Sequence, residues 1–213
     1  MSIGWTGARA ADPATDEQKT LYAVGVAISQ SMIGLALSEA ELEVVKSGIS
    51  DGALQRPLKV DMTTYGPKIQ QFAQSRTAVA AEKEKKVGAA ALAKAAAEPG
   101  AKKTASGAIV IPMKAGSGPA PKSSDTVKVH YHGTLLDGAV FDSSVQRGQP
   151  ASFPLTGVIK CWTEGVQKMK VGGKARLTCP PAIAYGSQGA GGGVIPPNAT
   201  LVFEVELLGI KGK

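Results

Sequence analysis

The 213-residue sequence is poor in aromatic side chains: two Trp, four Tyr and four Phe make up 5% of it. It carries only two cysteines and two histidines, and no apolar run near the ~20 residues that a membrane-spanning helix needs. Two cysteines, Cys161 and Cys179, cannot build a disulfide framework. They lack CxxC spacing, and with His130 and His132 they form no recognisable zinc pattern. The cysteines read as two buried structural thiols. A single bridge in an oxidising compartment is the alternative, and the sequence does not decide the pairing. His130 and His132 share a strand face with Lys128 and read as solvent-facing rather than as a metal pair. No GxSxG, P-loop, strand-linked GxGxxG or HExxH occurs, so hydrolysis by a serine nucleophile, nucleotide binding and zinc proteolysis have no basis. Gly191-Gly192-Gly193 lacks a following helix with Lys-Ser/Thr and reads as a flexible loop, not a phosphate cradle. No metal or cofactor is expected.

What is present suffices for a core: 43% of residues are apolar and 19% charged. The net charge is +7, and it is unevenly divided. Residues 1–105 carry 13 Lys/Arg against 11 Asp/Glu, whereas residues 106–213 carry 11 against 6, or +5. Neither part has a run of five like charges or a basic stripe interleaved with aromatics, so a nucleic-acid partner is not expected. The start, Met1 to Gly7, has no basic and apolar secretory signal, although Ala8-Arg9-Ala10 before Ala11-Asp12-Pro13 resembles a small-residue cleavage site.

Texture divides the chain into a flexible segment 1–15, a helical region 16–66, a long helix 67–98, a linker 99–105 and a second domain 106–213. From Asp16 to about Leu42, Leu21, Val24, Ile28, Met32 and Leu35 recur at helical spacing. Ser-Gly-Ile-Ser-Asp-Gly at residues 47–52 signals a turn, with a further helical segment expected before Tyr65-Gly66-Pro67. Pro67 suits the first turn of a helix that Glu98-Pro99-Gly100 ends. Between Ala78 and Ala101 that segment holds 11 alanines, which favour helix but bury little, so it reads as an arm of roughly 48 Å.

Beyond Ser106 the period changes. Val127, Val129, Tyr131, Gly133 and Leu135 alternate with Lys128, His130, His132 and Thr134 as in a half-buried strand, and Asp137-Gly138 turns it into a hairpin with Ala139-Val140-Phe141. Residues 173–179 and 200–210 also read as strands, with one short helix at Cys161 to Met169. Seventeen of the 26 glycines fall here, as tight turns require. An α+β fold follows: N-terminal helices and a long connecting helix, then an antiparallel sheet wrapped around a short helix.

One ordered series of segments carries chemistry. It runs Val129-His130-Tyr131-His132-Gly133-Thr134-Leu135, Asp137-Gly138, Phe141-Asp142-Ser143-Ser144, Arg147-Gly148, Gly157-Val158-Ile159 and Trp162-Thr163-Glu164-Gly165. Pro180-Pro181, Ala184-Tyr185-Gly186 and Ile195 through Leu208 complete it. Across residues 106–211 this resembles the FKBP-type peptidyl-prolyl cis/trans isomerases. The helical half, through Asp16-Glu17-Gln18-Lys19 and Tyr22-Ala23-Val24-Gly25, is similar to the dimerisation region of the Mip/FkpA-like bacterial members.

The resemblance implies a pocket of Tyr131, Phe141, Asp142, Arg147, Phe153, Val158, Ile159, Trp162, Tyr185, Val194, Ile195 and Phe203. Trp162 would form its floor, and Tyr131, Phe141 and Phe203 would enclose a proline ring. The Ile159 N–H and the Tyr185 hydroxyl would bind substrate carbonyls, with Tyr131, Asp142 and Arg147 as a polar network. Tyr131, Asp142, Ile159 and Tyr185 would act directly in catalysis. Cys161 departs from the small residue usual before this Trp, and Ser187 to Gly193 takes no functional assignment. Taken singly, Phe203 and Val205 read as strand core, Trp162 as a helix anchor and Asp142 as a turn-capping acid; the ordered series reverses this for the pocket positions.

The implied activity is acceleration of X–Pro isomerisation in folding proteins, without a cofactor. Implied partners are proline-containing unfolded or exported polypeptides, a second copy through the N-terminal helices, and macrolides such as FK506 or rapamycin. The implied location is a bacterial periplasm or outer envelope, with the cytoplasm as the alternative. A binding module or chaperone with little catalysis, and a helical scaffold that uses the second domain as an adaptor, are the competing readings.

Overall fold

A computed structural model describes residues 12–212; Ala8-Arg9-Ala10 and most of the expected flexible segment 1–15 lie outside the described residues. Thr15 opens α1 (Asp16–Ser29) with a capping box, its hydroxyl accepting the Gln18 N–H while the Gln18 side chain accepts from the Thr15 N–H. The single helix expected over 16–42 is broken. α1 tightens into a 3₁₀ turn at Gln30–Leu35, and Ala36 takes left-handed backbone at φ 47°. Ser38 then starts α2 (Glu39–Ala53) with a second capping box through Glu41. That local Ser-x-x-Glu restart outweighs the continuous apolar period.

The turn expected at 47–52 is helical instead. Asp51 is buried there and held by Lys59 at 2.8 Å, so a tertiary ion pair overrides weak propensity. α2 ends later, where Gln55 is left-handed and the Arg56 N–H reaches the Asp51 carbonyl at 2.8 Å. No separate helix forms between α2 and Tyr65, and residues 56–61 are irregular chain. Asp61 accepts the Thr63 and Thr64 N–H groups and starts α3 (Met62–Ala96) five residues early. Pro67 therefore lies inside α3, where it removes one backbone hydrogen bond, rather than at its start. At 1.5 Å per residue the 35 residues of α3 span roughly 52 Å.

The expected linker 99–105 is not free chain, because it contains β1 (Lys102–Lys103). Then follow β2 (Ile109–Lys114), β3 (Thr126–Thr134), β4 (Val140–Ser143), β5 (Ala151–Pro154), α4 (Lys160–Val166), β6 (Lys174–Cys179) and β7 (Leu201–Ile210). The strands form one antiparallel sheet in the order β1-β2-β6-β7-β3-β4, with β5 on β3. α4 ends sooner than expected because Lys168 and Met169 bond three residues back, to Gly165 and Val166.

Alternation puts Val127, Val129 and Tyr131 of β3 and Leu201, Phe203, Val205 and Leu207 of β7 into one core beneath α4. In β2, Ile109, Val110 and Ile111 are all buried because both faces are covered: Val110 joins that core, while Ile109 and Ile111 pack on Ala95 and Leu92 of α3. The helical arm is thereby docked at its C-terminal end, where Glu98 pairs with Arg176.

α4 lies close on β6 at Gly165, where a Cβ would stand 2.6 Å from Leu177 Cδ2. The same approach joins Cys161 of α4 to Cys179 of β6 in a disulfide, with Cα atoms 5.7 Å apart and both residues fully buried. This corrects the reading as free thiols: a sequence separation of 18 carries no information about the packing of α4 across β6. Closing a loop of that length restricts the unfolded chain. Replacing both cysteines by alanine is expected to lower the unfolding free energy by about 3 kcal/mol. Urea unfolding of the full chain measures it, and an undiminished midpoint would show that the bridge contributes nothing.

Candidate active site

At the β3–β4–β7 end of the sheet, side chains from every neighbouring element converge on an open cavity of about 580 Å³. Strand geometry explains who reaches it. Gly133 of β3 lies directly opposite Phe203 of β7 on one side and Asp142 of β4 on the other. The β3–β4 register then slips, with Thr134 opposite Val140, so Phe141 is the extra residue of a bulge. Adjacent residues of a regular strand face opposite ways. The bulge lets Phe141 and Asp142 both line the cavity. Gly133 leaves room for this: a Cβ there would stand 2.7 Å from Phe141 Cζ and 3.1 Å from Phe203 Cε1.

Trp162, in the first turn of α4, forms the floor. Its ring meets Tyr131, Phe153 and Phe203 edge-on at centroid distances of 5.4, 5.8 and 5.4 Å. Phe141 meets Phe203 at 5.4 Å and 87°. Such T-shaped pairs contribute about 0.5–1.5 kcal/mol each beyond area burial and fix ring orientation. The Trp162 Nε1–H is buried with no acceptor among the described residues, so the ring is held by packing alone.

One wall is polar. The Tyr131 hydroxyl donates to Asp142 Oδ2, Arg147 Nη1 donates to Oδ1, and Arg147 Nη2 donates to the Tyr131 hydroxyl at 2.8 Å. Burial is the largest single influence on Asp142 and opposes its charge. The Tyr131 hydroxyl, the Arg147 guanidinium and the Ser143 backbone together outweigh it, and the carboxyl sits below its ordinary value. Burial, and then the Asp142 carboxylate, push the Tyr131 hydroxyl up. Asp142 thus remains an ionised acceptor and Tyr131 a neutral donor.

The opposite wall comes from the start of α4 and from the loop before β7. Val158 lines the cavity, and so does Ile159, whose position at the α4 N-cap leaves its N–H without an acceptor among the described residues. Tyr185 is 40% exposed, with no partner on its hydroxyl among the described residues. Val194 and Ile195 also line the cavity, on a loop pinned by reciprocal 3.0 Å bonds between Ala190 and Ile195.

Eleven of the twelve expected pocket residues therefore line one cavity. Arg147 does not, and acts from behind Asp142 and Tyr131. Gly157, Ala190 and Gly191 line it unexpectedly. Gly157 adjoins Val158 in the quoted series and could have been found; Ala190 and Gly191 lie in a glycine-rich loop whose register the sequence does not fix. Asp142 is a strand residue, not a turn cap. His130 and His132 are partly buried rather than solvent-facing, with Nδ1 atoms 3.2 and 3.0 Å from Ser144 and Ser143 Oγ, because the end of β4 covers that face.

Both regions of the chain are similar to known proteins. A family model described as FKBP-type peptidyl-prolyl cis-trans isomerase matches residues 118–208, and one described as the domain amino-terminal to such isomerases matches residues 17–109. The chain is 39% identical to the FKBP-type isomerase FkpA of Escherichia coli strain K12, over 96% of this chain and 83% of that protein. It is 36% identical to the isomerase Mip of Coxiella burnetii, over 100% and 96%. The crystal structure of FkpA from Escherichia coli superposes with a TM-score of 0.68 at 37% identity, over 94% of this chain and 99% of that one.

Two outcomes follow from the site geometry. Gly133→Ala forces Phe141 outward and is expected to cost about 1–3 kcal/mol of stability through overpacking, read by urea unfolding; an unchanged variant would refute the close ring contact. Asp142 has a lowered native pKa, so its stabilising effect is complete above the ordinary carboxylate value and is lost as pH falls through the native one. The stability gap between wild type and Asp142→Asn should hold at about pH 6 and narrow towards about pH 3. A gap that widens on acidification would contradict the network.

Proposed function

The chain belongs to the FKBP-type peptidyl-prolyl cis-trans isomerase family, and from that premise we propose that it accelerates X–Pro rotation in the aromatic cavity floored by Trp162. The barrier to peptide rotation, roughly 18–20 kcal/mol, comes from amide resonance, which separates charge and is favoured by water. An apolar cavity withdraws that solvation, so the twisted amide loses less than the planar one. In this reading Trp162, Tyr131, Phe141 and Phe203 enclose the proline ring. The free N–H of Ile159 and the hydroxyl of Tyr185 hold substrate carbonyls, while Arg147 positions Asp142 and Tyr131. No group needs to give up or take a proton. The observation that carries the proposal is the convergence of these rings on one cavity whose only acid is already engaged by two donors.

The helical region supports a homodimer. Leu21, Val24, Ile28, Val44 and Ile49 are all exposed on α1 and α2, and a cavity between the two helices is lined by Ile28, Met32, Leu42 and Ile49. Apolar area of this extent is stable when a second copy covers it. Two cavities held on long arms suit the holding of unfolded, proline-containing chains, with macrolides as competing occupants of the pocket. The buried Cys161–Cys179 bridge favours an oxidising compartment such as a bacterial periplasm. No helix among the described residues is long and apolar enough to cross a membrane.

An X–Pro peptide assay tests the activity. Wild type is expected to exceed the uncatalysed rate, and Trp162→Ala and Asp142→Ala to lose at least about tenfold in kcat/KM, a loss of roughly 1.4 kcal/mol of transition-state binding. Absence of wild-type acceleration would leave a binding module. For the dimer, light scattering of the full chain should give twice the chain mass, and Ile28→Glu should shift it towards monomer; a monomeric wild type would refute that assembly.

A further inference from the structure

Lysines gather at one edge of the sheet. At the β1–β2 edge of the sheet, the end away from β3 and β4, a second cavity of about 220 Å³ is lined by five lysines. Lys102 comes from β1, Lys114 ends β2, Lys168 and Lys170 flank Met169 in the turn after α4, and Lys174 opens β6. The fold gathers them from three separate stretches of chain. No carboxylate lines the cavity, whose floor is the buried Val110, Met169 and Ala175. Lys174 is neutralised by Glu204 at 2.6 Å. The other four have no acidic partner within 4.0 Å among the described residues. The two cavities share no lining residue.

Four lysines that line one opening and have no acidic partner leave positive charge uncompensated there, and a bound anion would offset it. We propose that this cavity binds a phosphate-bearing anion through Lys102, Lys114, Lys168 and Lys170. A lone carboxylate brings one charge and two acceptor oxygens, too few for four cations. A phosphate monoester brings close to two charges and three acceptor oxygens. Lysine serves phosphate as a point charge, whereas planar bidentate recognition of a carboxylate calls for arginine, and none lines the cavity. The absence of any aromatic from the lining disfavours stacked bases, hence nucleic acid. The phosphate can belong to a soluble ester or to a lipid headgroup.

Titration calorimetry of the full chain with inorganic pyrophosphate at low salt tests the site. Wild type should bind saturably, and the double variant Lys114→Gln/Lys170→Gln should weaken binding by about tenfold or more. Lys83→Gln/Lys86→Gln on α3 removes the same net charge at an exposed site distant in sequence and should change the affinity less than about twofold. Circular dichroism confirms folding of each variant. X–Pro isomerisation should be unchanged in Lys114→Gln/Lys170→Gln, because its cavity is separate. Co-sedimentation with phosphatidylglycerol vesicles but not phosphatidylcholine vesicles would assign the phosphate to a lipid; pyrophosphate binding without co-sedimentation would assign a soluble ester. No saturable binding, or equal loss in the two double variants, overturns the proposal. Stronger binding of a single-stranded oligonucleotide than of pyrophosphate at equal phosphate overturns it in favour of nucleic acid.

Discussion

The isomerase domain depends on edge-on contact between Trp162 and three other rings. Each partner comes from a different strand: Tyr131 from β3, Phe153 from β5 and Phe203 from β7. The cluster therefore locks α4 to the sheet and orients the cavity floor in one arrangement. The Trp162 indole N–H has no acceptor among the described residues, a cost of roughly 1–3 kcal/mol for a buried donor that the ring contacts must offset. Beneath the rings the core is almost wholly aliphatic: Val127, Val129, Leu155, Val166, Leu177, Leu201, Val205 and Leu207 are all fully buried. A sequence with ten aromatics can thus place six around one cavity without starving its core.

Dryness and polarity are reconciled by closing the polar groups on one another. Asp142 would be expensive beside apolar rings if its carboxylate lacked partners. Tyr131 spans both requirements, its ring packed on Trp162 and Phe153 and its hydroxyl on Asp142. Arg147 completes the triangle from the exposed side, which lets it keep its charge solvated while it orients the other two. Removing any one of the three takes a hydrogen-bond partner from both of the others.

The sheet was legible in the sequence because its alternation is driven by burial on one face. Thr126–Thr134 and Leu201–Ile210 lie within one residue of where alternation put them. β2 went unread, because its run Ile109-Val110-Ile111 is buried on both faces and shows no alternation. The pocket was legible through order of segments, not through any single residue. What stayed hidden depended on distance in space: the Cys161–Cys179 bridge, the seryl covers on His130 and His132, and the loop residues Ala190 and Gly191. Helix boundaries were hidden for a different reason. Capping by Ser38 and Asp61 decides them over a few residues, while apolar periodicity averages over many.

The two parts of the chain are different thermodynamic objects. Residues 108–207 bury one large core among themselves, while Ile109 and Ile111 look to α3 for cover. α1 buries no residue at all, and 14 residues are marginal for a helix that lacks tertiary support. Leu21 and Tyr22 are each 65% exposed, and Val44 is 74% exposed. In the proposed homodimer such a region would gain its stability from the second copy, so its folding would be bimolecular while that of the cavity-bearing domain is unimolecular. α3 connects the two, docked at its far end through Leu92 and Ala95 on β2. In the proposed homodimer a client engaged at one cavity would meet the second at the effective concentration set by the arms rather than by the bulk. Under that proposal chains with several prolines would gain most, because each release from one cavity would leave the other within reach.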